Sequence, residues 1–392
     1  MNLISVVDTI EQANMMKDNG ISEVIVGNML FSRFGKVSNK RYNEFTKQLK
    51  EIGLRVVFDW DILMTQTLFD QRVEDIGQID FSNIDAIRVA DPGALLWCKE
   101  NFSNTPLQLI LENGNHNLIG IEKWIEIAGS SLERIVLSIE LSKDILKRYA
   151  SQISCPIEFL VLGRILLFYT PRNLVSPYLL DHDDDKTKSM SSKYIEIEGS
   201  SEESPHKGFP IVENLHGTFM FNTKDQYLCD HVEDLKEIGI TNFRFDVRHC
   251  NDLELIKKVS SQLLYPNEEN SKILKSSYDR VVIRGFFHVN KSDVLFKKLK
   301  NQRTQRKDES FIGEVLDVKK KKHIALIVKS KDRCLNIGDE IVLKTPDGKI
   351  KTSKVDKIYN TSNELTHSLS KGQIGLIAHI SGISVKTQIY VK

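Results

Sequence analysis

The amino-acid sequence predicts an α/β protein, a (β/α)8 TIM-type barrel followed by a small C-terminal β-barrel domain. Three observations predict it. The first two-thirds of the chain alternate short strand-like runs with amphipathic stretches. Seven of its eight strand-like runs are apolar without clear alternation, as expected of parallel strands covered on both faces. From Phe311 the pattern changes to β-type alternation broken by turn residues.

Residues 3–7 read as the first strand. Residues 9–18 read as an amphipathic helix, with Asp8 as its N-cap and Gly20 as its stop. Residues 24–26 form the second strand, 42–52 a helix, and 54–58 a strand of β-branched and aromatic type. Residues 86–89 are the fourth strand, and the turn Asp91-Pro92-Gly93 leads into a helix through Cys98. Strands at 107–111 and 134–137 flank a helix over 121–127, and Ser142 caps a helix running towards Tyr149. After Glu158 comes an apolar strand that Gly163 turns into a loop, and residues 242–247 complete the eight. Residues 177–215 are rich in Ser, Asp, Glu and Lys, contain Asp183-Asp184-Asp185 and show no periodicity, so they read as a solvated insertion. The barrel domain thus covers 1–296, a charged linker 297–309, and the β-domain 310–392. Six strands are expected in that last domain, within 311–318, 323–329, 338–344, 349–359, 372–377 and 387–391, with a turn at Thr345-Pro346-Asp347-Gly348.

A chain of 392 residues, 41% hydrophobic and 27% charged, has the composition of an ordinary soluble protein with a large core. The net charge of +1 supplies no global attraction to nucleic acid or acidic membrane, so such a partner must be met by a local patch. The amino terminus has no basic segment leading into a long apolar run and reads as a strand, not a signal peptide. No apolar run reaches the roughly 18 residues of a membrane span. Cys98, Cys155, Cys229, Cys250 and Cys334 are scattered without a CxxC pair, which fits a reducing compartment. A cytoplasmic protein with no membrane partner is expected.

The stretch from Glu158 to Ser176 resembles the signature of the collagenase-like peptidase family, peptidase family U32. Glu158, Gly163, Ile165, Val175 and Ser176 fall on that pattern. Further blocks resemble the family in the same order: Gly27 with Met29-Leu30-Phe31-Ser32-Arg33, Val89-Ala90-Asp91-Pro92-Gly93, residues 134–142, residues 216–225, residues 243–248, and Arg284-Gly285-Phe286. Together they span nearly all of residues 1–290. The resemblance implies a barrel with an appended β-domain. It also implies an activity drawn from tRNA or rRNA base hydroxylation, oxygen-independent ubiquinone hydroxylation, or peptide hydrolysis.

The resemblance also implies four cysteines holding an iron–sulfur cluster, and here the sequence departs. Leu166 and Asn173 stand at two of the cysteine positions, Tyr227 at the fourth, and the loop at 182–194 that would carry the third has none. Pro171 replaces a glycine, Ile139 an arginine and Leu162 a histidine of the pattern. Leucine has no donor atom, and amide and phenol oxygens are poor ligands for soft iron. No cluster and no metal are therefore expected. Cys229 and Cys250, then Cys155, are the thiols through which a site could be rebuilt. A zinc site from His216, His231 and His249 is not expected either.

Working groups in such barrels sit at strand C-termini. That rule selects Asn28, Arg33, Asp59, Asp61, Asp91, Glu112, Glu140, Arg172, Lys224, Asp225 and Arg248 as a polar pocket. Arg33, Arg172 and Arg248 could hold an anion by forked hydrogen bonds, the alternative being structural ion pairs and helix caps. Lys319, Lys320, Lys321 and Lys322, with the basic stretch 297–307, form a candidate RNA-contacting patch, or else a solvated turn and linker. No Ser/His/Asp set or HExxH motif stands out for peptide hydrolysis. The expected function is that of an accessory or catalytically degenerate member of the RNA-hydroxylation group, working with RNA and a paralogous U32 subunit. A U32 peptidase, or a small-molecule-binding protein using the barrel mouth, are the alternatives.

Overall fold

In a computed structural model the chain divides into two compact units, Met1–Lys291 and Ser292–Lys392. The structure describes residues 1–112, 115–179, 194–200, 208–250, 252–288, 309–346 and 349–392. The expected linker, save Glu309, the acidic run at 183–185 and the Asp347-Gly348 turn lie outside the described residues.

The strands of the first unit are β1 (Asn2–Val6), β2 (Glu23–Gly27), β3 (Arg55–Trp60), β4 (Ala86–Val89), β5 (Leu107–Leu111), β6 (Leu132–Leu137), β7 (Ile157–Thr170), β8 (Ile195–Gly199), β9 (Phe209–Asn214), β10 (Gly217–Tyr227), β11 (Asn242–Phe245) and β12 (Val282–Ile283). Strands β1 to β7 are parallel neighbours in order. β11 pairs with both β1 and β7, which closes an eight-stranded (β/α)8 barrel.

Outward side chains such as Leu3, Val24, Val56 and Ile87 join the helices in one large buried cluster. Inside the barrel, Ile4, Val6, Ile25, Val57 and Ala86 form a small apolar plug. Above and below that plug the interior is charged. Both faces of each strand are therefore covered, but one is covered by ion pairs.

Local chemistry accounts for the helix starts. The helix Ile10–Asp18 is capped by Thr9, not by Asp8 as the sequence suggests. Gln12 decides this, because it completes a reciprocal capping box with Thr9. The Asp8 side chain, 5% exposed, lies 3.1 Å from the Lys36 ammonium instead. Ser142 precedes the helix Lys143–Ala150 without a side-chain capping bond. A helix over Gln66–Ile76, capped by Thr65, is an addition to the elements expected from the sequence.

The larger correction concerns β7. The chain does not turn at Gly163. The strand runs on for 14 residues to Thr170, past the barrel rim. Gly163 is needed for a different reason: its φ is +153° and an added Cβ would sit 3.3 Å from the Asp246 carbonyl oxygen. The extension of β7 pairs antiparallel with β10, which pairs with β9, and β9 with β8. Part of the expected insertion is thus ordered sheet, while residues 180–193 and 201–207 lie outside the described residues. Val212, Phe219 and Phe221, with Phe34, Leu166 and Tyr169 against them, form the apolar underside of this flap. Tyr169 and Phe219 stack with centroids 4.7 Å apart.

The second unit is an antiparallel β-domain. Its eight-stranded sheet includes Phe311–Lys319, His323–Val328, Glu340–Lys344, Ile374–Ala378 and Gln388–Val391, and a two-stranded ribbon is added at Leu335–Asn336 and Ser368–Leu369. The segment expected as one strand at 349–359 is two, Ile350–Lys354 and Ile358–Tyr359. Among the described residues no ladder joins the two outer strands of the sheet. Ile312, Leu326, Ile341, Leu343 and Ile389 belong to its single core.

Candidate functional site

At the C-terminal ends of the barrel strands, beneath the flap, lies a cavity of about 720 Å³. Arg88, Glu112 and Arg244 in its lining belong to an ionic network to which several strands each contribute a side chain. Glu158 of β7 is fully buried and receives both Arg88 guanidinium nitrogens at 2.8 Å. Arg244 Nε reaches the same carboxylate at 2.8 Å and Arg134 Nε at 3.3 Å. Arg134 also bonds Glu23, and Arg244 bonds Glu112. Three guanidinium groups keep Glu158 well below the usual carboxylate range, although burial alone would raise it.

Two further pairs stand at the rim. Arg33 donates from its backbone nitrogen and from Nε to Asp61, at 2.7 and 2.6 Å. Arg248 forks onto Asp246, with Nε and Nη2 at 3.0 and 2.7 Å. Between these pairs stands Asp59, 6% exposed, whose nearest cation is Arg88 Nε at 4.0 Å. Burial, and next the negative charge of Asp61, push its carboxyl up to about 7. Arg88, Arg248 and Arg33 only partly offset this. Asp61 moves the opposite way: burial raises it, but the charge and two hydrogen bonds of Arg33, with the charge of Arg248, together lower it. The mouth therefore holds one carboxyl that can give or take a proton near neutrality beside one fixed as an anion.

Of the residues selected from sequence, Arg33, Asp59, Asp61, Glu112, Glu140 and Arg248 line this cavity. Glu140 lies 3.5 Å from His116 Nε2. Asn28 instead braces its own turn through Leu30 and Asn39. Asp91 caps the helix Pro92–Asn101. Lys224 lies in the bulged part of β10, away from the cavity lining, and Asp225 is buried against Tyr278, Arg280 and His249. Arg172 is on an exposed turn outside the cavity, so it does not join Arg33 and Arg248. That turn is fastened by Glu213, which accepts from the backbone nitrogens of Leu174, Val175 and Ser176 at 2.7–2.9 Å.

Sequence reasoning missed Arg88, Arg244, Asp246 and Arg164, all of which line the cavity. His216 lines it too, with Nε2 2.9 Å from the Met29 carbonyl oxygen, while His231 bonds Asp234 and His249 bonds Tyr278. The three histidines thus serve different partners. The residues at the family's cysteine positions are separated as well. Leu166 packs under the flap, Asn173 is exposed, and Tyr227 is buried with its hydroxyl 3.0 Å from Asp230. Leu166, Asn173 and Tyr227 do not fit an iron–sulfur cluster, since none supplies a thiolate. Lys320, Lys321 and Lys322 form an exposed hairpin turn after Lys319, with Lys321 at φ +62°.

The fold is a closed (β/α)8 barrel, with a charged, partly covered pocket at its strand C-termini, the face on which barrels of this kind carry their sites. The profile of peptidase family U32 matches residues 8–292, and the chain belongs to that family. The chain is 22% identical to tRNA hydroxylation protein P of Escherichia coli over 89% of its own length and 87% of that protein. It is 22% identical to tRNA hydroxylation protein P of Haemophilus influenzae, covering 74% and 73%. Among solved structures it is similar to N-(5'-phosphoribosyl)anthranilate isomerase from Pyrococcus furiosus, with a TM-score of 0.37, 9% identity, and 67% and 98% of the two chains covered. Among the described residues no helix is long and apolar enough to cross a membrane.

Proposed function

We propose that this chain serves tRNA hydroxylation in the cytoplasm without an iron–sulfur cluster, as an accessory or non-catalytic subunit beside a cluster-bearing paralogue. One observation carries the reading. Where the family resemblance expects thiolates, Leu166 is packed against the Phe219–Phe221 cluster and Tyr227 is committed to Asp230. Neither side chain can grip soft iron. The names of the relatives support tRNA as the partner, and the exposed turn at Lys320, Lys321 and Lys322 offers it a local positive patch. The test is anaerobic purification followed by iron and acid-labile sulfide analysis. Sub-stoichiometric iron is the expected result, and one cluster per chain overturns the reading.

A second reading is favoured by Asp59. A carboxyl that titrates near neutrality beside the anionic Asp61 suits acid–base chemistry on a small molecule in the mouth, or hydrolysis of a peptide. Turnover of a metabolite or peptide library that disappears in Asp59→Asn supports this reading, and no turnover of either library removes it.

A further inference from the structure

Outside the ionic network, a second cluster stands where β10, the turn after β11 and the segment after the helix Glu268–Ser277 meet. There His249, Cys250 and Asp279 bring a nitrogen, a sulfur and an oxygen donor within 4.8 Å of one another. We propose that these three residues bind a divalent transition-metal ion of the zinc type at the edge of the barrel mouth. This goes beyond the proposed function and does not depend on it.

The spacing suits such an ion. Cys250 Sγ lies 3.6 Å from Asp279 Oδ1. Zinc–sulfur and zinc–oxygen bonds of about 2.3 and 2.0 Å, meeting at a tetrahedral angle, place their two donors about 3.5 Å apart. A thiolate, an imidazole and a carboxylate together favour zinc over harder cations such as magnesium or calcium.

The surroundings are those of a metal-binding histidine. His249 Nε2 is 3.1 Å from Asp225 Oδ2 and 3.1 Å from the Tyr278 hydroxyl. Asp225 is fully buried, and is itself fixed by Tyr278 at 2.8 Å and by Arg280 Nε at 3.0 Å. A carboxylate and a hydroxyl held against one ring nitrogen fix the orientation of the imidazole, as partners behind a metal-binding histidine do. Cys250 is placed by its backbone nitrogen, 2.9 Å from the Val247 carbonyl oxygen. Three protein donors leave a coordination position for water or for an occupant of the cavity, which His249 also lines.

The experiment uses the full chain, stripped with chelator and then titrated with Zn²⁺ or Co²⁺. One ion per chain is expected, with a thiolate-to-cobalt charge-transfer band. Cys250→Ser should abolish the band. Asp279→Asn, on an exposed residue, should weaken Zn²⁺ binding about tenfold or more. Cys334→Ser, which removes an exposed thiol in the other unit, should change nothing. Absence of the band from folded wild-type protein overturns the proposal, as does a band that survives Cys250→Ser. If Cys250→Ser does not fold, unchanged Zn²⁺ affinity in Asp279→Asn overturns it.

Discussion

Replacing Asp59 by asparagine tests the electrostatics of the barrel mouth directly. In the folded chain this carboxyl is raised from 3.8 to about 7, first by burial and then by Asp61. In the unfolded chain it titrates near its ordinary value. Between about pH 4 and pH 7 the folded state therefore binds the extra proton, and this group's contribution to stability falls as pH rises through that window. Three pH units at about 1.4 kcal/mol each amount to roughly 4 kcal/mol lost by pH 8. Asparagine carries no charge and has no such loss. Urea denaturation of both proteins at intervals from pH 4 to pH 8 should show Asp59→Asn gaining roughly 4 kcal/mol on the wild type across the range. Groups far from the mouth cancel in the difference, which reports the interacting pair Asp59 and Asp61. Parallel stability curves would refute the assignment of a neutral-range proton to Asp59.

Four further outcomes are expected. Glu158→Gln leaves Arg88, Arg134 and Arg244 facing each other without their shared anion, and thermal melting should report a loss of about 3–5 kcal/mol. Gly217→Ala places a Cβ 2.1 Å from the Thr170 carbonyl oxygen at φ +114°, so limited proteolysis should cut the flap faster in the variant. Changing Lys319, Lys320, Lys321 and Lys322 to glutamate should weaken tRNA binding in a filter or anisotropy assay and flatten its dependence on salt, by about 0.7–0.9 in slope for each phosphate no longer neutralised. Arg172→Ala should leave the thermal shift given by any carboxylate ligand of the cavity unchanged, whereas Arg248→Ala should abolish it.

The barrel was legible because its outward faces and helices obey simple rules. β4 and β5 lie where their apolar runs begin and end. The interior was harder to read, because the strands look like plain apolar runs. Glu23, Arg55, Arg88, Gln108, Arg134, Glu158 and Arg244 each interrupt such a run, one on each of seven strands. A polar or charged group within a buried strand needs a partner, so seven interruptions at inward positions were a sign of a shared network. The flap was missed for another reason. A glycine inside an apolar run reads as a turn, but Gly163 answers the close approach of Asp246 and the strand passes straight through. Arg172 was overvalued by its place in the signature, since position along the chain does not report which way a turn faces.

The length of β7 has a consequence for access. One continuous strand is both a stave of the barrel wall and the root of the canopy above it. The wall's ladder uses the strand up to Leu162, and the canopy's ladder uses Leu166 to Thr170, with a register shift in the partner strand between them. The canopy is therefore tethered to the wall by a covalent strand and borders the mouth whatever occupies it.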